Sequence, residues 1–261
     1  MAGVSLIIPC FNHGATLERA VRSALPRDGL GELIIVDDCS TDAFSWPQAQ
    51  ALMQCDPRIR VLQTPCNSGP GAARNLGAQN AQCDYLSFLD ADDELIDDFF
   101  SEAIAMLETQ PEMGAVKTDE LFFDPVKGYI LPATDPRYQA AVLSSVPGLV
   151  IRRDVFFALG GFPEDAVFRG VHGGEDVAFM QGLIEHFQPL GRIARPCYKV
   201  HSCAGSHVDR FLQTTRVTED DSGFEFVRTT PEQAPDGPLA RALAHQLEQI
   251  TIRYRNTRNE I

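Results

Sequence analysis

The sequence predicts an α/β protein whose central sheet is mainly parallel and is flanked by helices on both faces. Short apolar runs of strand-forming residues alternate with segments of helical periodicity over residues 4–93, and this alternation is typical of βαβ units. Polar or acidic residues follow three of these runs. Because open sheets of this class bind ligands at the carboxyl ends of their strands, a binding site is predicted at that edge.

The first part of the chain contains four short apolar runs, which suit strands buried on both faces of a parallel sheet. These predicted strands span residues 4–9, 33–36, 59–62 and 85–89. Between them, apolar residues recur every three or four positions, which predicts intervening helices. These predicted helices span residues 16–24, 46–54 and 72–81.

The second half of the chain is less regular. Residues 118–147 contain four prolines and Gly128, so they are predicted to form a long loop or an irregular insert. Three further helices are predicted, at residues 99–108, at 153–159 and after residue 174. Strands are predicted at 114–117 and 148–151, and residues 193–201 are predicted to be extended. From residue 206 onward, two or three helices are predicted, with a linker at 234–238 before the last helix at 239–255.

The composition argues against several classes of protein. The chain has 261 residues, 44% of them hydrophobic, which is enough for a sizeable core. Its formal net charge of −14 disfavours binding to nucleic acid or to anionic lipid. The sequence shows neither an apolar run long enough to span a membrane nor the basic region of a signal peptide. Seven cysteines without a Cys-x-x-Cys pair fit reduced thiols, and a cytoplasmic location is predicted.

The fourth predicted strand ends in a cluster of carboxylates at residues 90–94. If the segment is still extended, Asp90 and Asp92 project in the same direction. Oxygen-rich clusters of this kind suit hard divalent cations such as Mg²⁺ or Mn²⁺. The alternative is an acidic turn whose Asp and Glu residues cap a helix that begins near Ile96.

Acidic residues also follow the second strand. Asp37, Asp38 and Asp42 lie where a carboxylate can accept hydrogen bonds from a nucleotide base or from ribose hydroxyls. The alternative is a turn that uses Asp38, Ser40 and Thr41 as capping residues. The residues alone favour neither interpretation.

Residues 69–74, Gly-Pro-Gly-Ala-Ala-Arg, come close to the dinucleotide-binding fingerprint, but Arg74 replaces its third glycine. The segment also follows the third strand rather than the first, which argues against a nicotinamide or flavin cofactor. The start of a helix remains a good anion site, and Arg74 could reach a phosphate there. The alternative for Arg74 is a salt bridge to the neighbouring acidic loops.

Two later segments carry groups that could take part in catalysis. Glu175 and Asp176 stand at the start of a predicted helix, where capping is the simpler interpretation and a general base is the functional one. His201 ends a strand-like segment. It is either structural or a neutral imidazole that completes the coordination of a metal held by Asp92.

Five motifs, taken in order, resemble the family 2 glycosyltransferases, which are inverting enzymes of the GT-A fold. They lie at residues 4–12, 34–42, 67–75, 88–93 and 174–176. The resemblance covers about residues 3–205 and implies a GT-A domain at 1–205. Within it, residues 1–115 would form the nucleotide-binding half and 116–205 the acceptor and catalytic half. Residues 206–261 would form a C-terminal helical extension.

The resemblance implies a donor site built from the first two loops. Pro9, Phe11 and Asn12 would lie beside the nucleotide base, with Phe11 at a position where tyrosine is common. Asp38 would contact the base, and Asp42 would lie close by. A UDP-sugar is the donor that the resemblance favours.

The remaining donor and metal residues come from the third and fourth loops and from the end of the domain. Arg74 would approach the nucleotide, and Asp90 would face the ribose beside Ala91 in the donor site. Asp92 would bind a Mg²⁺ or Mn²⁺ ion that bridges the diphosphate. His201 would complete the metal or diphosphate site.

The implied reaction is a single displacement with Asp176 as the catalytic base. Asp176 would take the proton from an acceptor hydroxyl, which attacks the anomeric carbon and inverts its configuration. Two other functions stay open: a catalytically silent protein that binds nucleotide-sugars on the same fold, and a metal-dependent phosphohydrolase of the haloacid dehalogenase type. The phosphohydrolase usually has Thr or Val where this chain has Glu94. A sugar nucleotidyltransferase would need a Gly-rich N-terminal loop that this sequence lacks.

The predicted partners are a nucleotide-sugar and a hydroxyl acceptor on a glycan, a glycolipid or another glycoconjugate. Polysaccharide or lipopolysaccharide synthesis is the expected context. A lipid-linked acceptor would bring the protein to a membrane surface, although no basic amphipathic helix supports this. Peripheral membrane association and homodimerisation through the C-terminal helices both stay open.

Overall fold

A computed structural model describes residues 3–169, 173–220, 223–228 and 237–259, and confirms the α/β class. Nine strands build the central sheet: β1 (Val4–Cys10), β2 (Leu30–Asp37), β3 (Ile59–Gln63), β4 (Tyr85–Phe88), β5 (Glu94–Leu95), β6 (Ala115–Asp124), β7 (Gly128–Tyr129), β8 (Leu149–Arg152) and β9 (Gly191–His201). Seven helices alternate with them: α1 (Gly14–Ala24), α2 (Ser45–Met53), α3 (Pro70–Asn80), α4 (Phe100–Thr109), α5 (Arg137–Leu143), α6 (Arg153–Ala158) and α7 (Glu175–His186). Each predicted strand and helix of residues 4–89 is present.

The sheet has the order β3-β2-β1-β4-β8-β6-β9-β5, and β7 pairs with β6. The first four strands are parallel, as predicted. Beyond β4 the sheet is mixed, because β8 runs antiparallel to both β4 and β6. The carboxyl ends of β1, β2 and β4 therefore meet at one edge, and the second half of the chain closes over it.

The prediction of a long loop or irregular insert at residues 118–147 is wrong for much of that segment. Strand β6 continues to Asp124, β7 forms a short hairpin with it, and α5 follows. Residues 119–123 pair with β9, and burial alternates along the end of β6, the pattern of a half-buried strand. The prolines lie outside these paired residues, so their number gave a misleading signal.

Helix α4 begins at Phe100, close to the helix predicted at 99–108, and not near Ile96 as the capping alternative required. Residues Glu94–Leu95 form β5, which pairs with Lys199 and Tyr198 of β9. The backbone N–H of Ile96 also donates to the carbonyl of Cys197, at 2.9 Å. The acidic segment is thus fixed between β4 and an added edge strand, and does not cap a helix.

The C-terminal extension is only partly helical. Helix α8 (His207–Thr214) is followed by an antiparallel hairpin of β10 (Thr215–Asp220) and β11 (Gly223–Arg228), which the prediction of helices missed. Helix α9 (Pro238–Asn259) corresponds to the predicted last helix. Most of the predicted linker, residues 234–236, lies outside the described residues.

Two hydrophobic clusters lie on opposite faces of the sheet, because successive side chains of a strand point to opposite sides. Leu6 and Ile8 pack in one cluster and Ile7 in the other, and Ile250 of α9 belongs to the same cluster as Ile7. A third hydrophobic cluster, around Phe122, connects α8 to the segment that was predicted as an irregular insert. Within the described residues, no helix has the length and hydropathy needed to cross a membrane.

Candidate active site

A cleft of about 670 Å³ opens at the carboxyl edge of the parallel strands. The second half of the chain supplies its other wall, through the start of α7 and through α8. Eight of the eleven predicted site residues line it: Pro9, Phe11, Asp38, Arg74, Asp90, Ala91, Asp92 and Asp176. Asn12, Asp42 and His201 do not belong to this lining.

Arg74 connects the two halves of the cleft. Its side chain is 3% exposed, and its guanidinium contacts Asp90 at 2.8 Å, Asp176 at 2.9 Å and Glu175 at 3.2 Å. The guanidinium carbon also lies 5.3 Å from the centre of the Phe162 ring. The predicted salt bridge to neighbouring acidic residues is therefore present. The predicted approach of Arg74 to a nucleotide stays a prediction.

Asp176 lies in the first turn of α7, where it faces the cleft and Arg74. Gly174 precedes the helix with φ of 117°, a left-handed conformation that favours glycine, so the chain turns sharply before the two carboxylates. Burial raises the pKa of Asp176 to about 7, with repulsion from Glu175 and Asp90 adding to the rise and Arg74 opposing it. A carboxylate with a pKa near neutrality is suited to accept a proton at physiological pH.

Asp38 holds the loop that leads into α3. Its Oδ1 accepts hydrogen bonds from the Thr64 hydroxyl at 2.7 Å and the Ser68 N–H at 2.9 Å, and its Oδ2 accepts from the Gly69 N–H at 2.7 Å. The residue is 2% exposed but lines the cleft. Asp38 thus acts as a hydrogen-bond acceptor within the protein, as in the alternative prediction of a capped turn. The groups that donate to it belong to the loop after β3, not to its own turn.

Asn12 and Asp42 connect the first two loops to each other and to α2. Asn12 Oδ1 accepts from the backbone N–H groups of Thr41 at 2.8 Å and Asp42 at 3.0 Å. Asp42 Oδ1 accepts from the Ser45 N–H, and its Oδ2 from the Ser45 hydroxyl, both at 2.8 Å. These bonds lower the pKa of Asp42, the Ser45 N–H most of all. Both side chains are thus occupied within the protein, and their contact with a nucleotide stays a prediction.

The acidic cluster after β4 is partly buried, with Asp93 4% exposed and Asp90 and Asp92 more open to solvent. Burial raises the pKa of Asp92 and of Asp93, and the charge of Asp90 raises both further. Asp93 accepts hydrogen bonds from the Tyr198 hydroxyl at 3.0 Å and from the backbone N–H of His201 at 2.7 Å. Asp92 faces the cleft, where the charges of His13 and Arg19 oppose the rise in its pKa.

His201 is engaged away from the cleft. Its Nε2 lies 2.5 Å from Oε1 of Glu94, and burial lowers the pKa of its imidazole. Among the described residues, no three His, Cys, Asp or Glu side chains form a group that could hold a metal ion. The ligand role of His201 stays a prediction, and it would require the imidazole to leave Glu94.

The charges of the cleft fit a divalent cation. Seven carboxylates but only three arginines stand among the described residues that line it. A diphosphate would add further negative charge, so a hard cation at Asp92 would offset repulsion that the three arginines leave uncompensated. The carboxylate oxygens also match the ligand preference of Mg²⁺ and Mn²⁺.

Sequence reasoning missed several residues of the second wall. Arg169, His207 and Arg210 line the cleft, as does Glu120 of β6. Burial lowers the pKa of His207, which favours its neutral form. The apolar run Leu121-Phe122-Phe123 could have extended the strand predicted at 114–117 and placed Glu120 on it. Nothing local marked the other three, because only the packing of α8 and of residues 166–169 brings them to the cleft.

The fold and the cleft define an α/β protein with a ligand site at the carboxyl edge of its parallel strands. Residues 5–132 match the family model described as glycosyl transferase family 2. The match covers 128 of the 261 residues, and it shows that this segment is similar to the family 2 glycosyltransferases.

Two of the three relatives described here are named for the biosynthesis of succinoglycan and of colanic acid. The chain is 40% identical over 96 residues to an uncharacterized glycosyltransferase of Haemophilus influenzae, covering 36% of this chain and 38% of the relative. It is 40% identical over 91 residues to the succinoglycan biosynthesis protein ExoO of Rhizobium meliloti, covering 34% of this chain and 25% of the relative. It is 40% identical over 94 residues to a putative colanic acid biosynthesis glycosyl transferase, WcaA, of Escherichia coli, covering 35% of this chain and 33% of the relative. The matched stretch thus covers about a third of these relatives.

Solved structures of TarS from S. aureus share the GT-A fold with this chain. The complex of TarS residues 1–349 with UDP-GlcNAc superposes with a TM-score of 0.66 at 18% identity, covering 97% of this chain and 72% of that one. The complex with UDP gives a TM-score of 0.63 at 20% identity, covering 80% and 62%. At this level of identity the likeness establishes the fold, which is the fold that the sequence predicts.

Proposed function

We propose that this protein is an inverting glycosyltransferase that moves a sugar from a UDP-sugar to an acceptor hydroxyl, in the synthesis of a polysaccharide, a lipopolysaccharide or another glycoconjugate. The observation that carries the proposal is the position of Asp176, a carboxyl of pKa about 7 that faces the cleft and contacts Arg74 at 2.9 Å. The names of the polysaccharide relatives and the UDP complexes of TarS support the substrate class.

The donor nucleotide belongs at the end of the cleft formed by the first two loops. Phe11 is 38% exposed there and offers a ring face against which a base can stack. Pro9 and Asp38 lie at the same end, and Asp90 and Ala91 extend the surface toward the position of the ribose. Arg74 brings positive charge to the same surface but is already bound to three carboxylates.

The chemical step needs one proton acceptor. Asp176, deprotonated above its pKa, removes the proton of the acceptor hydroxyl as that oxygen attacks the anomeric carbon. The new C–O bond forms as the bond from the anomeric carbon to the diphosphate oxygen breaks, and UDP leaves with the electron pair. Attack from the opposite face inverts the anomeric configuration.

A Mg²⁺ or Mn²⁺ ion belongs to the same proposal, with Asp92 as its protein ligand and His201 as the predicted second one. When bound, the ion would neutralise charge on the diphosphate of the leaving group. Its role rests on the negative charge of the cleft lining and on the raised pKa of Asp92, which burial causes first and Asp90 second.

A cytoplasmic location completes the proposal. All seven cysteines are free, and Cys10, Cys83 and Cys197 are buried, which fits a reducing compartment.

Substitution of the candidate base tests the function. We expect Asp176→Asn to lower the rate of sugar transfer by about 10²- to 10⁴-fold, because the amide cannot accept the proton. The affinity for UDP, measured by calorimetric titration, should stay close to that of the unsubstituted protein, since the charge removed lies at the acceptor side of Arg74.

Glu185→Gln is the matched control, because Glu185 is an exposed carboxylate on the same helix. It should leave both rate and affinity unchanged. If Asp176→Asn lost UDP affinity as completely as it lost rate, Asp176 would not be the base. If neither form of the protein transferred sugar while both bound UDP, the chain would be a nucleotide-sugar-binding protein instead.

A further inference from the structure

Glu120 is a buried carboxylate in the cleft wall that the proposed chemistry does not use. It is 1% exposed and lies on β6, on the side of the cleft that faces α5 and α8. Its Oε1 accepts hydrogen bonds from the ammonium of Lys117 and from the Ser145 hydroxyl, at 2.9 Å for the latter. Its Oε2 has no hydrogen-bond partner among the residues that the structure describes. An unsatisfied buried carboxylate oxygen is costly, which calls for an explanation.

The backbone around Glu120 is fixed in an irregular conformation. The register between β6 and β9 slips twice, at Thr118/Asp119 and at Asp119/Glu120. The Tyr138 hydroxyl holds the bulged residue on both sides, because it accepts from the Glu120 N–H at 3.1 Å and donates to the Glu120 carbonyl at 2.8 Å. Bulges of this kind often redirect a side chain next to an active site.

A purely structural ion pair explains this arrangement poorly. The ammonium of Lys117 also donates to the carbonyl of Pro147, so the pair does connect β6 to the loop after α5. However, a buried ion pair contributes little net stability compared with apolar residues of similar volume, because both charges must be desolvated. A structural pair also gives no reason for one oxygen of Glu120 to remain without a donor beside the cleft.

The surroundings of Glu120 in the cleft combine apolar surface with hydroxyl groups. Ser144 and Ser145 provide the hydroxyls. The apolar lining consists of Phe122, Ala141, Pro147, Val200, Val208 and Phe211. A pyranose ring has the matching chemistry, since its C–H face packs on apolar side chains while its hydroxyls need hydrogen-bond acceptors.

We propose that Glu120 binds a hydroxyl group of a pyranose acceptor, and that the sugar packs against the apolar wall around Phe122. The inference deepens the proposed function and rests on it, because it assigns this half of the cleft to a carbohydrate acceptor. Oε2 is buried in the structure, so a local rearrangement of the cleft wall accompanies acceptor binding in this proposal.

Binding of simple sugars tests this directly. Methyl pyranosides of glucose, galactose, mannose and N-acetylglucosamine are titrated into the protein saturated with UDP and Mn²⁺, and binding is followed by saturation-transfer NMR. Ribitol is the acyclic comparison. We expect at least one pyranoside to bind, and Glu120→Gln to weaken it by roughly tenfold or more, as for loss of a hydrogen bond to a charged group. UDP affinity should not change.

Glu32→Gln is the matched control. Glu32 is 5% exposed, pairs with Arg60 at 2.8 Å and accepts from the Ser5 hydroxyl at 2.7 Å, but it does not line the cleft. It should lower the melting temperature as Glu120→Gln does, without changing sugar binding. Ser145→Ala provides a second variant that keeps the ion pair, and we expect it to weaken the same pyranoside several-fold.

The outcomes separate the two proposals. Failure of UDP to bind would overturn the proposed function, and this inference with it. UDP binding with no pyranoside bound, or binding of ribitol alone, would overturn only the pyranose assignment. Equal sugar affinity in Glu120→Gln, Ser145→Ala and the unsubstituted protein would show that Glu120 is structural.

Discussion

At the scale of single residues, the guanidinium of Arg74 contacts three carboxylates that reach it from the loop after β4 and from the start of α7. Those carboxylates outnumber its charge, so the cluster is negative even before a substrate binds. Arg74 lowers the pKa of Asp176, which burial alone would raise further. The charge of Arg74 therefore helps to set the pH at which the candidate base becomes active.

The pH dependence of the reaction follows from the pKa of Asp176. The base must be deprotonated, and its pKa is about 7 because burial disfavours the charged form. We expect kcat/KM to fall about tenfold per pH unit below 7 and to level off above it. The measurement is the initial rate of sugar transfer from pH 5 to 9, with the nucleotide-sugar donor at a saturating concentration. A rate independent of pH down to 5 would contradict the assignment.

Arg74→Lys tests the coupling between the cation and the base. Lysine keeps the charge but does not have the planar fork that contacts several carboxylates at once. We expect the rising part of the pH profile to move to higher pH, and kcat/KM at pH 7 to fall by about tenfold. Arg74→Met, which leaves three partly buried carboxylates without this cation, should destabilise the fold by roughly 3 kcal/mol in urea unfolding. A lysine variant with an unchanged profile would show that Arg74 does not tune Asp176.

The sequence predicted the residues that sit in local motifs and missed those that tertiary packing brings in. Asp38, Arg74 and Asp92 follow recognisable strands, so their place at the sheet edge could be read from the chain. Glu120 was not among the predicted site residues, because the prolines at residues 125–136 favoured a loop over an extension of the strand predicted at 114–117. The hydrogen bonds of Asp42 to Ser45 were not predicted, because the turn alternative had Asp38, Ser40 and Thr41 as its capping residues.

At the scale of elements, α9 is part of the same hydrophobic core as the catalytic half. Helix α9 packs on α6 and α7. Ile250 is 1% exposed, and its Cδ1 would lie 2.7 Å from a Cβ placed on Gly182 of α7, so the glycine permits close approach of the two helices. The helix that begins with Glu175 and Asp176 is thus supported from behind by the C-terminal extension.

Ile250→Ala measures that support. Truncating a buried isoleucine leaves a cavity, and we expect a loss of about 2–5 kcal/mol in the free energy of unfolding by urea. Ile252→Ala is the control on the same helix, because Ile252 is 46% exposed and should cost less than about 0.5 kcal/mol. Equal effects of the two substitutions would mean that α9 does not belong to the core.

Helices and parallel strands of the first half were predictable because each shows its own periodicity within about ten residues. The edge strand Glu94–Leu95 and the hairpin β10–β11 were not predicted from the sequence. Glu94–Leu95 is only two residues long and depends on β9, which lies a hundred residues later. Residues 215–228 were predicted to be helical, although Asp221-Ser222-Gly223 is a turn signal and Phe224 and Phe226 alternate with a polar residue, as in a strand.

At the scale of the whole molecule, the net charge of −14 must be reconciled with a substrate that carries a diphosphate. Like the chain as a whole, the cleft has more acidic than basic side chains, with seven carboxylates and three arginines among the described residues that line it. Coulomb repulsion of this kind is strongest at low ionic strength and in a partly buried site. The divalent cation of the proposed function would lower this repulsion.

Thermal unfolding with UDP shows whether that cation is needed. With Mn²⁺ present at saturation, UDP at 100 times its Kd should stabilise the protein by about 2.7 kcal/mol, a rise in Tm of roughly 5–10 °C for a chain of this size. With the metal chelated, the same UDP should raise the Tm much less, because the carboxylates repel the diphosphate. Asp92→Asn should lose the effect of Mn²⁺ and keep a folded baseline, since the substitution removes one buried negative charge. If UDP stabilised the protein equally with and without metal, the three arginines would suffice for the diphosphate and Asp92 would not be a metal ligand.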